Sequence, residues 1–317
     1  MSAPLKTAEL SRNAAFAAAR DVRLSVLIPF YRDNPCALLK RLCAKPPGGV
    51  EIILYDDGSD DSALGGAVHA AVQAAPLPAM LVSARNNCGR AFARNTLTGA
   101  ARGAWVLLLD ADMMPPNAGF LQRWCACIND QAPAIAFGGF IVPALSSVAP
   151  EQRLHLAFSQ SADCLPAALR AQNPASTVCT SNLLVRSDVL RDHPFDDGFD
   201  GWGWEDVEWA ARAARDHSII HIDNPALHLG LETPETLLRR FRDSAANYAR
   251  FVQRHPALAH TLPSWKATRL IAKTPGFSYF RPLFAAIARN ALGLWPLRAR
   301  ILALKLWRSS WYAKALS

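Results

Sequence analysis

A mostly parallel α/β sheet with helices on both faces, continued at its C-terminus by a helical extension, is the fold this sequence predicts. Three observations predict it. Apolar runs alternate with helix-like segments from Leu24 to Leu109, the links between them are short, and the runs end in acidic or glycine-containing turns.

Leu24 to Phe30 (LSVLIPF) reads as a buried parallel strand, apolar on both faces. Asn34 to Cys43 has helical spacing and is stopped by Pro46-Pro47-Gly48-Gly49. Glu51 to Tyr55 is a second strand, Asp61 to Ala75 a helix closed by Pro76 and Pro78, and Ala79 to Ser83 a third strand. Arg90 to Ala101 is helical and Trp105 to Leu109 a fourth strand, ending at Asp110. Beyond about Ala134 the pattern loosens. Ile135 to Val142 and Val178 to Arg186 are expected strands, Glu205 to Arg215 a helix and Ile219 to Ile222 a short strand. Pro234 to Arg254 reads as one long amphipathic helix capped by Thr233. The expected division is an N-terminal extension (1–23), an α/β domain (24–232, with halves 24–115 and 116–232) and a C-terminal region (233–317).

Composition bounds the function. With 317 residues, 51% hydrophobic and 19% charged, the chain can bury a sizeable core and is neither disordered nor fibrous. It contains no uninterrupted apolar run of about 18 residues and no apolar leader segment, which predicts a cytoplasmic protein without a spanning helix. Seven scattered cysteines, none in a CxxC pair, support neither a zinc ribbon nor a disulfide framework. The net charge of +8 is unevenly placed: Ser244 to Ser317 holds twelve Lys/Arg and no acid, leaving 22 basic against 26 acidic side chains elsewhere. That region also carries Trp265, Tyr279, Phe280, Trp295, Trp307 and Trp311 among Leu and Ala. Basic and aromatic residues on short helices suit the surface of an anionic membrane. A helical layer packed on the body with solvated cations is the competing reading. Nucleic acid is not an expected partner, because no recognition motif accompanies the charge.

Four strings carry chemistry. Asp56-Asp57-Gly58-Ser59 follows the second strand; a carboxylate there can accept the imide N–H of uracil, although Asp-Gly-Ser is also an ordinary turn. Asp110-Ala111-Asp112 follows the most apolar strand, and its two carboxylates repel each other unless a cation or donor intervenes. Mg²⁺ or Mn²⁺ there would bridge diphosphate oxygens. Gly201-Trp202-Gly203-Trp204-Glu205-Asp206 puts two indole rings beside two acids that open a helix, where the dipole also favours them. Adjacent acids on a helix point about 100° apart, so at most one faces a given pocket atom. His228, alone among apolar residues, is an ordinary histidine unless a metal already sits nearby.

Taken in order with Leu24-Ser25-Val26-Leu27-Ile28-Pro29-Phe30-Tyr31-Arg32, these strings resemble the family 2 glycosyltransferases of GT-A fold, and so does Asn87-Cys88-Gly89-Arg90-Ala91-Phe92-Ala93-Arg94-Asn95. The Gly201–Asp206 string looks like the C-terminal motif of galactosyltransferase-type and chondroitin-polymerase-like enzymes, with Trp204 where Gly is frequent. The resemblance implies that Asp57 reads uracil and Pro29 lines that pocket. Asp112 and His228 would bind the metal, Asp110 would lie near ribose or metal, and Arg94 near the nucleotide. Asp206 would be the general base, Glu205 would bind substrate, and Trp202 and Trp204 would shape the acceptor or sugar site. The activity implied is metal-dependent, inverting transfer of a hexose or N-acetylhexosamine from a UDP-sugar. The acceptor would be a glycan or polyprenyl-linked glycan, with the enzyme peripheral on the inner face of the membrane and serving surface polysaccharide synthesis. A dehydrogenase is disfavoured because Pro29-Phe30-Tyr31-Arg32 stands where a GxGxxG turn would be. Two rival classes stay open on the sequence: a nucleotidyltransferase and a non-catalytic sugar- or membrane-binding module.

Overall fold

The computed structural model describes residues 8–317; of the expected N-terminal extension, residues 1–7 lie outside the described residues. The main sheet has eight strands: β1 (Glu9–Arg12), β2 (Leu24–Phe30), β3 (Val50–Asp56), β4 (Ala79–Ser83), β5 (Trp105–Leu109), β7 (Ile135–Phe137), β9 (Asn182–Arg186) and β10 (Ile219–His221). A second sheet is made of β6 (Met113–Met114), β8 (Phe140–Ile141) and β11 (Ala226–His228). The main order is β1-β4-β3-β2-β5-β9-β7-β10 and the small one β6-β11-β8. The central ladders β4-β3-β2-β5 are parallel, while β1 and β9 run antiparallel to their neighbours.

The central strands are buried on both faces, as their unbroken apolar runs require. Pro29 has no N–H to donate, and the β2–β5 ladder stops at Leu27↔Leu108, before it is needed. The sheet therefore parts at the carboxyl ends of β2 and β5. A buried charge on β3 is fully paired: Glu51 accepts from the Ser25 hydroxyl at 2.6 Å and from the Arg102 side chain at 2.7 Å. Arg102 also stacks on Phe16, 3.9 Å from its ring centre, and donates to the Phe16 carbonyl.

The segment before Leu24 carries elements that the sequence pattern did not predict, and two expected elements are corrected. That segment is part of the sheet, since β1 pairs with β4 and Asn13 caps the helix Ala14–Ala18 that follows. The expected strand Ile135–Val142 is two strands in two sheets. The chain turns at Gly139 (φ +75), where a Cβ would lie 2.7 Å from the Arg170 guanidinium. The expected helix Pro234–Arg254 breaks at Ser244 into Pro234–Asp243 and Ala245–Arg254. Ser244 Oγ lies 3.2 Å from the Phe241 carbonyl and 3.0 Å from the Tyr312 hydroxyl, and the bend lets both helices pack against the helix Leu297–Ala315.

That last helix also packs against the helices Arg153–Ala162, Pro263–Ala272 and Arg281–Arg289, so the C-terminal region forms a helical layer on the α/β body. Among the described residues no helix is long and apolar enough to cross a membrane. All seven cysteines are free thiols.

Candidate active site

A cavity of about 440 Å³ opens at the carboxyl ends of β2, β3 and β5, the edge at which open α/β sheets bind ligands. Pro29, Asp57, Arg94, Asp110, Asp112 and Trp202 line it. These are six of the positions expected from the sequence, drawn from segments far apart in the chain.

Asp57 follows β3 with its carboxylate turned to the loop Asn87–Gly89, accepting the N–H groups of Cys88 (2.8 Å) and Gly89 (2.9 Å). Burial pushes its carboxyl above the ordinary range against the pull of those two donors. Asp57 thus shapes the cavity wall by holding the loop that begins the helix Arg90–Ala100.

The loop after β5 divides its two acids. Asp110 turns to that helix, 3.2 Å from Arg94 and 3.8 Å from Arg90. Asp112 turns to His228, with Oδ2 3.3 Å from Nε2. The small sheet makes this contact: β6 pairs antiparallel with β11, and His228 stands opposite Met113. The Leu229 N–H donates to the Asp112 carbonyl at 2.9 Å. Gly230 leaves room for the acid, since a Cβ there would fall 1.9 Å from Asp112 Oδ2. Although burial opposes it, the His228 contact and the Arg90 charge hold the Asp112 carboxyl below its usual range.

Among the described residues no group of three or more His, Cys, Asp or Glu side chains is arranged to hold a metal. Asp112 and His228 offer one hard oxygen and one imidazole nitrogen, a donor pair suited to Mn²⁺. A cation of that kind commonly takes one or two protein ligands and completes its shell with water and substrate phosphates. The residues present fit such an ion.

Glu205 and Asp206 do not line the cavity. They lie one side chain behind it, joined to it by arginines. Arg94, 1% exposed, places Nη1 3.5 Å from Glu205 and 3.7 Å from Asp206 while Nη2 meets Asp110. Arg90, one turn earlier, reaches Glu205 at 3.6 Å. Asp206 accepts the Thr180 N–H (3.1 Å) and hydroxyl (2.8 Å). Burial, reinforced by the neighbouring Glu205, pushes its carboxyl up to about 6 despite Arg94 and Arg90.

The two tryptophans part company. Trp202 lines the cavity and sets its ring edge-on to Phe241 with centroids 5.6 Å apart. Trp204, expected to shape a sugar site, instead packs inside the helical layer. Its ring centre lies 4.8 Å from that of Tyr248 and 5.0 Å from that of Phe251, and its N–H donates to the Tyr312 hydroxyl at 3.0 Å.

Sequence reasoning passed over four neighbours of the Asp112–His228 pair. Arg240 and Asp33 line the cavity. Arg240 also forms an ion pair with Glu232 at 2.6 Å. His155 sets its ring edge-on to His228, 5.7 Å between centroids. Burial holds it near 4 and neutral, and its Nδ1 accepts the Glu232 N–H at 2.8 Å. Only Arg90, four residues before Arg94 on one helix, carried a usable signal.

Fold and cleft together define an α/β protein whose ligand cavity lies at the carboxyl ends of its central strands. The sequence model of glycosyl transferase family 2 matches residues 25–193, just over half of the chain, and the chain belongs to that family. Its fold is GT-A, shared with solved structures of low sequence identity. The mannosyltransferase PcManGT from Pyrobaculum calidifontis, in complex with GDP-Man and Mn²⁺, superposes with a TM-score of 0.58 at 18% identity, covering 94% of this chain and 88% of that one. TarS 1–349 from S. aureus in complex with UDP-GlcNAc gives 0.52 at 16% identity, covering 93% and 90%. No curated protein sequence matches the chain.

Proposed function

We propose that this glycosyltransferase is a metal-dependent, inverting enzyme that moves a hexose or N-acetylhexosamine from a UDP-sugar to a hydroxyl of a glycan or polyprenyl-linked glycan. One observation carries the reading: Asp112, which lines the cavity, stands 3.3 Å from His228, 116 positions away in sequence and just behind the lining. A divalent cation held by these two would neutralise the charge that develops on the leaving diphosphate. The solved GT-A structures with GDP-Man and Mn²⁺ and with UDP-GlcNAc support the same donor class, and the Gly201–Asp206 string supports a galactosyltransferase-type, chondroitin-polymerase-like relationship.

The residues divide the work. Asp57 and Pro29 bound the end of the cavity assigned to uracil, and Arg90 and Arg94 add positive charge along it. Trp202 offers an indole face to a sugar ring. Asp206, held by Thr180 and raised to about 6, is charged at neutral pH; lying one side chain behind the cavity, it would take the proton of an attacking hydroxyl through one bridging water. A single displacement with one base gives inversion at the anomeric carbon.

The basic, aromatic C-terminal layer supports peripheral attachment to an anionic membrane on the cytoplasmic side, where a lipid-linked acceptor for surface polysaccharide would be met. The test is calorimetric titration of UDP with and without Mn²⁺, followed by UDP release from a panel of UDP-sugars. Metal-strengthened binding with turnover on one donor is expected. Binding without turnover on any donor and acceptor would assign the fold to a non-catalytic module.

A further inference from the structure

The helices Arg281–Arg289 and Leu297–Ala315 lie side by side, and the turn between them is braced. The Asn290 side chain accepts the Trp295 N–H at 2.8 Å and donates to the Trp295 carbonyl at 3.3 Å, closing the loop on itself. What this closed loop holds out is apolar: Leu292 is 82% exposed, Leu294 71% and Trp295 45%. Leu302, on the following helix, is 58% exposed. Surface leucines scattered singly need no explanation, but three large apolar side chains fixed at the tip of one hairpin do.

Charge identifies the occupant. Arg289 and Arg298 flank the loop, and no acid occurs anywhere from Ser244 to Ser317. Arg298 has no acidic side chain within 4.0 Å among the described residues, and Arg289 reaches only Glu235, at 3.6 Å. An apolar tip flanked by two arginines matches the two layers of an anionic bilayer, acyl chains below and phosphates above.

We propose that Ala291–Pro296 is a wedge that inserts into an anionic bilayer, with Arg289 and Arg298 at the level of the lipid phosphates. The proposal rests on the membrane reading of the C-terminal layer given above and names the segment that performs it. The test is co-sedimentation of the full chain with phosphatidylcholine vesicles, with and without phosphatidylglycerol, at low and high salt. The full chain should bind the anionic vesicles, more weakly at high salt. The combined variant Leu292→Ser, Leu294→Ser, Trp295→Ser should partition about tenfold less or weaker. Unchanged UDP titration in that variant would show that the fold and nucleotide site persist. Equal binding by variant and parent would overturn the wedge and leave the membrane reading standing. Failure of the parent to bind anionic vesicles would overturn both, while UDP turnover would still report on the transferase separately. A parent that self-associates while the variant is monomeric would assign the loop to a second copy of the chain and overturn the proposal.

Discussion

His228 Nε2 stands 3.3 Å from Asp112 Oδ2 because β11 pairs with β6, a two-residue strand that begins immediately after Asp112. The ladder makes the contact between these side chains a property of the backbone. If the pair holds a cation, Asp112→Asn and His228→Ala should each remove the Mn²⁺-dependent gain in UDP affinity. Turnover should fall about a hundredfold or more, the scale of losing one charge-stabilising group. Calorimetry with and without the metal checks the first effect and UDP release the second.

Gly230→Ala tests the same pair without touching either member. Its Cβ would fall 1.9 Å from Asp112 Oδ2, so the carboxylate must move. We expect a melting temperature close to the parent's, because the collision is with a side-chain tip at the cavity rim. Metal-dependent UDP binding should nevertheless weaken.

Arg94 is the one buried cation shared by Asp110, Glu205 and Asp206. Arg94→Gln should destabilise the protein by about 3–5 kcal/mol, because Glu205, 4% exposed, then keeps only Arg90, whose side chain is partly in solvent. Adding Glu205→Gln should recover part of that loss in urea unfolding, since the uncompensated buried charge is gone.

Asp206→Asn should keep UDP binding and lower transfer by about 10²–10⁴-fold, the usual contribution of a positioned base. In the parent, turnover should fall as pH drops through about 6, where Asp206 takes up its proton. The sign for stability is opposite to that of a salt-bridged acid. A carboxyl raised on folding binds more protons in the native state than in the unfolded one, so its contribution weakens as pH rises from the ordinary carboxylate range through about 6. The Asn variant should therefore lack this dependence in thermal melts from about pH 4 to 7.

Trp202 and Trp204 should separate binding from folding. Trp204→Ala empties a site among Tyr248, Phe251 and Tyr312 and should cost about 3–5 kcal/mol. Trp202→Ala should chiefly raise KM for donor or acceptor, with a smaller change in melting temperature.

Much of the α/β half was legible in the chain. Leu24–Phe30, Ala79–Ser83 and Trp105–Leu109 are strands with the boundaries expected, because a parallel strand covered on both faces must be apolar throughout. Asp57, Asp110 and Asp112 were legible for the complementary reason: acids at the ends of such strands emerge at the ligand-binding edge. The elements missed lack any periodic signal. β6 and β8 have two residues each, too few for alternation to show, and β1 (ELSR) is a polar edge strand.

The chain by itself determined the buried strands and the set of acids, since these are local consequences of hydrophobic pattern and turn chemistry, and its ordered motifs carried the resemblance to the family. Tertiary structure decided the partners. It sent Asp112 to His228 and Asp110 to Arg94, put Trp202 in the cavity and Trp204 against the aromatic cluster of the helical layer, and placed Asp206 behind two arginines. Those outcomes depend on which distant backbone segments pair and pack, and no spacing along a single chain encodes that geometry.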